Sequence, residues 1–391
     1  MSSISFRSKF ALGVALACAL PLGFAQQGPK TAGKGDYFMY VGTYTRHQSK
    51  GIYAWRFHAA DGSVQPIGLV AETSNPSFLA LAPNGRFLYA ANEDSRYQGQ
   101  PTGTVSAFAI DTATGKLTAL NKVVSKGAGP CHVSVTPDGK FVFVANYNSG
   151  SIASFPVHPD GSLGDAVAFV QHTGSSVNPD RQAGPHAHSV VPSPDGRFLL
   201  SADLGLDEVT VYKIGSDGSL TPNNPPFAKV APGSGPRHIA FGHGAKFVYV
   251  VSEMIPGITV FRYNASRGSL ESIQSISSLP QGPIGNSSGA EIAVSADGKF
   301  VYSSNRGANS IAAFKIDRAK GTLTAAGIFP SGGRTPRNFA IDPSGHWLFA
   351  AHQDSDSIVK FRVDPQSGAI SSAGQTLEAG APVCIVFAAA H

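Results

Sequence analysis

Three arginines, three histidines and three glutamates fall at matching offsets from a recurring turn in this chain. They are Arg237, Arg306 and Arg337; His132, His188 and His238; and Glu93, Glu253 and Glu291. A guanidinium fork matches the oxygens of a carboxylate or phosphate, so three of them in one place suit an anionic small molecule. A histidine or glutamate beside them can take a proton from water, and an arginine can stabilise the oxyanion that water attack creates. Together these groups suit hydrolysis of an acidic or phosphorylated ester-like ring. No serine nucleophile is expected, because no Gly-x-Ser-x-Gly elbow is read in the chain. His186 and His188 lie two apart and can share a strand face, a spacing open to zinc ligation. No third ligand accompanies them, and no metal or other cofactor is expected.

Residues so distant in sequence meet only if a repeat brings them together. A glycine turn followed by a small or polar residue and an aliphatic one occurs seven times, beginning at Gly62, Gly115, Gly161, Gly218, Gly268, Gly321 and Gly368. The six intervals average about 51 residues, the length of a β-propeller blade. Within each repeat a short apolar strand leads to a turn such as Pro137-Asp138-Gly139, then to a second strand such as Phe141–Ala145 and a third such as Ser151–Phe155. Asp-Gly and Asn-Gly between apolar runs mark hairpins. The second strand of the remaining blade stands at the front of the chain, at Phe38–Val41, and its first strand at the far end, at Val383–Phe387. The expected fold is all-β: a seven-bladed β-propeller of four-stranded antiparallel blades, its ring closed by pairing of the N- and C-terminal strands.

Alignment of the blades gives columns. The first strand opens with Ser77, Cys131, His188, Arg237, Ala290, Arg337 and Val383, followed by Phe78, His132, Ser189, His238, Glu291, Asn338 and Cys384. The second strand ends with Thr43, Asn92, Asn146, Asp203, Ser252, Asn305 and His352, followed by Tyr44, Glu93, Tyr147, Leu204, Glu253, Arg306 and Gln353. Antiparallel neighbours place all four columns at one mouth of the channel. The recurrent Asn and Asp are expected to bond loop backbone. His188, Arg237, Glu253, Arg306 and Arg337 each break the habit of their column, which points to function. The long connections at 93–103, 171–187 and 273–289 leave toward the same end, where binding loops sit on a rigid scaffold.

Charged residues make up only 14% of the 391, and Gly numbers 44, which suits an all-β body with tight turns. The net charge is +5 without a Lys/Arg run, so no nucleic-acid partner is expected. Arg7 and Lys9 precede the apolar run Phe10–Leu20, and Gly23-Phe24-Ala25 offers a cleavage site. Residues 1–25 therefore read as a secretory signal, too short in its apolar part to span a membrane permanently. Residues 26–35 read as a flexible lead-in and 36–391 as the propeller. The expected protein is exported, periplasmic or secreted, and a monomer. Cys131 and Cys384 are too few to make a disulfide framework.

The stretches PCHVSVTPDGKFVFVANYNSGSI, GPHAHSVVPSPDGRFLL, GSGPRHIAFGHGAKFVYVVSEM, SNRGANSIAAF and GGRTPRNFAIDPSG resemble the seven-bladed lactonase family. That family includes the bacterial propeller type of 6-phosphogluconolactonase and, more distantly, fungal carboxymuconate cyclases. The resemblance runs from about residue 36 onward and implies metal-free lactone chemistry at one propeller mouth. The cyclase pattern of His, Arg, Glu and Arg falls on His188, Arg237, Glu253 and Arg306, which become the expected catalytic set. His132, His186, His238, Glu291, Arg337 and Asn338 become the expected substrate-binding set. The expected activity is opening of a sugar lactone, 6-phosphogluconolactonase-like, with His188 or Glu253 activating water and the arginines holding an anionic substrate. An export signal argues for a sugar lactone met outside the cytoplasm. A muconate-type lactone cycloisomerase and a non-catalytic exported binding propeller are the other readings.

Overall fold

The computed structural model describes residues 1–2, 35–46, 48–280 and 285–391. The signal and lead-in assigned to 1–35 lie outside the described residues, apart from Met1, Ser2 and Gly35. From Asp36 to Ala389 the described chain forms seven four-stranded antiparallel sheets. Blade 1 joins strands Asp36–Thr43, Gly51–His58 and Val64–Glu72 to the C-terminal strand Pro382–Ala389. Blades 2 to 7 span 76–124, 130–171, 187–229, 236–277, 288–330 and 336–378. Tyr37 to Thr43 pair antiparallel with Ala389 to Pro382, so the two chain ends close the ring as the sequence predicts. The first strands of successive blades neighbour one another around the ring and line the channel.

What holds the blades side by side is visible in the repeat itself. Each turn glycine has positive φ and lies flat on the aromatic that opens the second strand of the preceding blade. Gly321 (φ +77°) rests on Phe247, and a Cβ there would stand 2.2 Å from the ring. Gly62 does the same on Trp347, linking blade 1 back to blade 7. The other five turns meet Phe38, Phe87, Phe141, Phe198 and Phe300. Two residues into the same strands, the hydroxyls of Tyr40, Tyr89, Tyr249 and Tyr302 donate to the carbonyls of Gly115, Gly161, Gly321 and Gly368. Behind these contacts lie seven apolar clusters among the described residues, each shared between two adjacent sheets. The core is thus a set of interfaces, and no blade has one of its own.

The recurrent amides at the end of the second strand serve the backbone. Asn92, Asn146 and Asn305 donate to the carbonyls of Ser74, Ser125 and Ser278, tying down the segment that enters each blade. Blade 4 has Asp203 instead, which bonds buried His172 at 2.6 Å. Cys131 and Cys384 are both buried free thiols. Among the described residues no helix is long and apolar enough to cross a membrane.

The turn glycines should be far more sensitive than glycines that share only their backbone conformation. Gly85 also has positive φ, +69°, but nothing lies within 4 Å of a Cβ built on it. Gly85→Ala should cost roughly 1–2 kcal/mol, the left-handed strain alone. Gly321→Ala adds overpacking against Phe247 and should cost about 2–5 kcal/mol. Equilibrium urea unfolding of the two variants compares them; equal losses would dismiss the glycine–aromatic contact as a determinant of the ring.

Candidate active site

The channel-facing residues owe their direction to an irregularity repeated in every inner strand. In blade 5, Pro236 pairs with Ser252 and His238 with Val251, so Arg237 is an extra residue with no partner opposite. In blade 4, Ala187 pairs with Asp203 and Ser189 with Ala202, leaving His188 as the extra residue. Cys131 in blade 3 and Arg337 in blade 7 occupy the same position. In blade 6 the shift falls between Gly289 and Ile292 and takes in Ala290 and Glu291. A β-bulge of this kind re-aims a side chain. Five of the inner strands start on proline, at 76, 130, 236, 336 and 382, a residue suited to a break in the ladder because it has no N–H to donate.

Glu253, just past the second strand of blade 5, is the hub of the mouth. Its Oε2 lies 3.1 Å from Arg237 Nε, 3.1 Å from Arg306 Nη2 and 3.6 Å from His188 Nε2. Its Oε1 accepts Arg181 Nη2 at 2.8 Å. Burial works to raise the carboxyl pKa, but Arg306, Arg237 and Arg181 outweigh it and hold the group at about 2. Glu253 is therefore a fixed anion at neutral pH. Arg237 is only 2% exposed, and its Nη1 also donates to the Ala290 carbonyl at 2.6 Å. Burial lowers the pKa of Arg306 to about 10, against the pull of Glu253. Arg306 gives a further hydrogen bond to the Gly289 carbonyl, while its Nε has no partner among the described residues.

His188 is held well below its ordinary pKa, first by burial and then by Arg237, so it stands neutral beside the carboxylate. Cys131 lines its other side: Sγ lies 3.8 Å from His188 Nδ1, and the thiol donates to the His188 carbonyl at 3.3 Å. Burial raises the thiol pKa, so this sulfur keeps its proton.

The remaining residues singled out from sequence divide into three places. His132, His238, Glu291 and Asn338 form a buried layer adjoining His188. His238 Nδ1 bonds Glu291 Oε1 at 2.9 Å, Asn338 donates to Glu291 Oε2, and Asn338 accepts the Ile385 amide. Phe78 stacks on His132, and the His238 ring packs against those of His132 and His188 at 5.3 and 5.2 Å. These side chains are spent on one another. His186 stands apart from Glu253, stacked on Tyr147 at 4.6 Å with its Nδ1 on the Tyr147 carbonyl. Arg337 sits over the ring of Tyr44, whose hydroxyl donates to Glu93. Among the described residues no carboxylate comes within ion-pair distance of Arg337.

Sequence reasoning passed over Arg181 and Tyr147. Arg181 lies in the connection 171–187, whose length was the signal, but nothing local marks that one residue. Its Nη2 bridges Glu253 and the Tyr147 hydroxyl. Tyr147 shares a repeat column with Glu253 and Arg306. One motif also needs correction: Gly285-Asn286-Ser287-Ser288-Gly289 does have nucleophile-elbow spacing. It runs straight into the inner strand Ser288–Val294, however, whereas an elbow turns from strand into helix. Among the described residues no group of three or more His, Cys, Asp or Glu converges to hold a metal.

A ring of seven four-stranded sheets, with a buried and arginine-rich polar centre at one end of its channel, defines the class as a seven-bladed β-propeller. The family described as lactonase, 7-bladed β-propeller, matches residues 38–387. The chain belongs to that family. The 6-phosphogluconolactonase of Bacillus subtilis is 38% identical over 302 residues, 77% of this chain and 84% of that protein. The structure of a periplasmic gluconolactonase from Pseudomonas aeruginosa superposes with a TM-score of 0.86 at 37% identity, covering 91% of this chain and all of that one. A putative 6-phosphogluconolactonase from Bacteroides fragilis gives a TM-score of 0.84 at 38% identity, with 92% and 99% coverage.

Glu253→Gln leaves three guanidiniums around an uncharged amide and should cost about 3–5 kcal/mol at pH 7. A carboxyl lowered from 4.5 to about 2 contributes stability that is present above pH 4.5 and is lost as pH falls toward 2. The difference between wild type and variant should therefore shrink across that window. Urea unfolding from pH 7 down to 2.5 measures it; a constant difference would deny Glu253 its charge.

Proposed function

We propose that this enzyme hydrolyses a sugar lactone at the Glu253 mouth, with His188 as the general base toward water. The observation that carries the reading is a neutral imidazole 3.6 Å from a carboxylate gripped by three arginines. The family and its sugar-lactonase relatives supply the reaction class. Between the two candidate bases the electrostatics favour His188. A carboxylate with a pKa of about 2 is a feeble proton acceptor at neutral pH, because base strength falls with pKa. Neutral His188 has a free electron pair, and the imidazolium formed on proton transfer gains the Glu253 carboxylate as its counter-ion. Arg237 is committed to Glu253 and the Ala290 carbonyl, so its part is to hold the hub in place. Arg306 Nε, which has no partner among the described residues, is the N–H available to stabilise the tetrahedral oxyanion.

Arg337, which has no ion-pair partner among the described residues, is the group for an anionic end of the substrate. Among the described residues four arginines and three glutamates, Glu93, Glu253 and Glu291, gather at the mouth, and burial raises the pKa of Glu291. That excess of positive charge favours a lactone bearing phosphate or carboxylate. The leader read at 1–25, together with likeness to a periplasmic gluconolactonase, supports action outside the cytoplasm on a lactone available there.

A pH-stat screen of phosphorylated and plain sugar lactones, with spontaneous hydrolysis subtracted, tests the reading; an inert protein would leave only a binding role. His188→Ala should lower kcat by on the order of 10²–10⁴ while a cooperative thermal melt shows that the fold survives. The base must be neutral and its pKa is depressed. The acid limb of kcat/KM should therefore lie below pH 6.5, with no loss between pH 7.5 and 6.5. Arg337→Met should raise KM at least tenfold for a phosphorylated lactone and little for a neutral one. Equal effects on both would remove Arg337 from charge recognition.

A further inference from the structure

Lactone opening needs a second proton event, at the ring oxygen. An aliphatic alkoxide is a poor leaving group and departs more readily when a proton reaches it as the bond breaks. Tyr147 is the first residue after the second strand of blade 3, the repeat position that supplies Glu253 in blade 5. Its ring is packed between two histidines, stacked on His186 at 4.6 Å and edge-on to His188 at 5.3 Å. Its hydroxyl oxygen accepts Arg181 Nη2 at 3.0 Å, and the same nitrogen bonds Glu253 Oε1 at 2.8 Å. The phenol is thus tied through one guanidinium nitrogen to the hub that also holds His188. Its oxygen already accepts a hydrogen bond, and among the described residues no acceptor takes its proton.

We propose that Tyr147 is the proton donor to the leaving ring oxygen. The proposal rests on the lactonase reading above. His188 removes one proton of water as the water oxygen bonds to the carbonyl carbon. The intermediate collapses by breaking the bond to the ring oxygen, which takes the Tyr147 proton and becomes the hydroxyl of a hydroxy acid. The phenolate left behind faces the Arg181 cation. The proton on His188 returns to Tyr147 through solvent, and the new carboxylic acid releases its own. A phenol is a stronger acid than an aliphatic alcohol, so the transfer runs in the required direction. Burial raises the Tyr147 pKa, and the hydrogen bond from Arg181 opposes that rise.

The test is Tyr147→Phe in the full chain, alone and combined with Arg181→Met, with thermal melts to confirm folding. Two lactones serve as probes. Glucono-δ-lactone has an aliphatic leaving oxygen; dihydrocoumarin has a phenolic one that departs without a proton. The single variant should lose about 10²-fold in kcat on glucono-δ-lactone, with KM within twofold, and less than threefold on dihydrocoumarin. In the Arg181→Met background it should still lose at least tenfold, because the proton and not the grip on Arg181 is what is missing. A kcat loss under fivefold, equal losses on both lactones, or no further loss in the Arg181→Met background would overturn the assignment. If the wild type does not accept the aryl ring, the double variant decides. A wild type that opens no lactone overturns the underlying reading and this proposal with it.

Discussion

A flat aromatic beneath a side-chain-free turn is the contact on which this molecule depends. Each blade extends its glycine turn over the ring that opens the second strand of the blade before it, and the seventh such contact, Gly62 on Trp347, returns to the start. The apolar clusters behind the turns all lie between sheets. No blade can bury its apolar faces alone, so a partial ring leaves two core surfaces exposed to water. The channel and its mouth therefore have a geometry set by seven equivalent contacts, and a side chain placed by a bulge in one blade meets its counterpart from another without any loop having to be accurate.

Against that background, the mouth departs from repetition in its charges. Burying a carboxylate costs several kcal/mol unless it is paired, and Glu253 meets that cost with guanidiniums from blades 5 and 6 and from the 171–187 connection. The pairing fixes the protonation of its surroundings. Glu253 stays ionised, His188 stays neutral and the arginines stay charged, so the mouth presents one electrostatic pattern over the neutral pH range. A site preorganised in this way has little reorientation to perform when charge develops on a substrate.

Much of this was legible in the sequence because the repeat is written in residues with a steric reason to recur. The turn glycines admit no Cβ, and the aromatics beneath them cannot shrink without leaving a hole. Counting them gave the blade number, and pairing Phe38–Val41 with Val383–Phe387 gave the closure. Column alignment brought His188, Arg237, Glu253 and Arg306 to one end because antiparallel neighbours share an end whatever their details. The bulge was not foreseen. An alternating strand would have sent residues 237 and 238 to opposite faces, yet Arg237 and His238 both enter the central network. Proline at the head of five inner strands was the available hint. Arg181 escaped because a loop residue has no column to deviate from. Tyr147 escaped because a tyrosine after a strand reads as packing until its hydroxyl partner is known. His132, His238, Glu291 and Asn338 lie in a buried layer adjoining His188, a depth that column logic does not give, since it holds no measure of how far a side chain reaches into the channel.

The N- and C-terminal strands share blade 1, and this has a bearing on when the protein becomes competent. Pro382–Ala389 provides the inner strand there, and its Ile385 amide completes the Asn338–Glu291–His238 network. A nascent chain lacks that strand until residues 382–389 have been made. The buried layer beneath the charged centre, though built chiefly from blades 5, 6 and 7, is thus completed only by the strand at the far end of the chain.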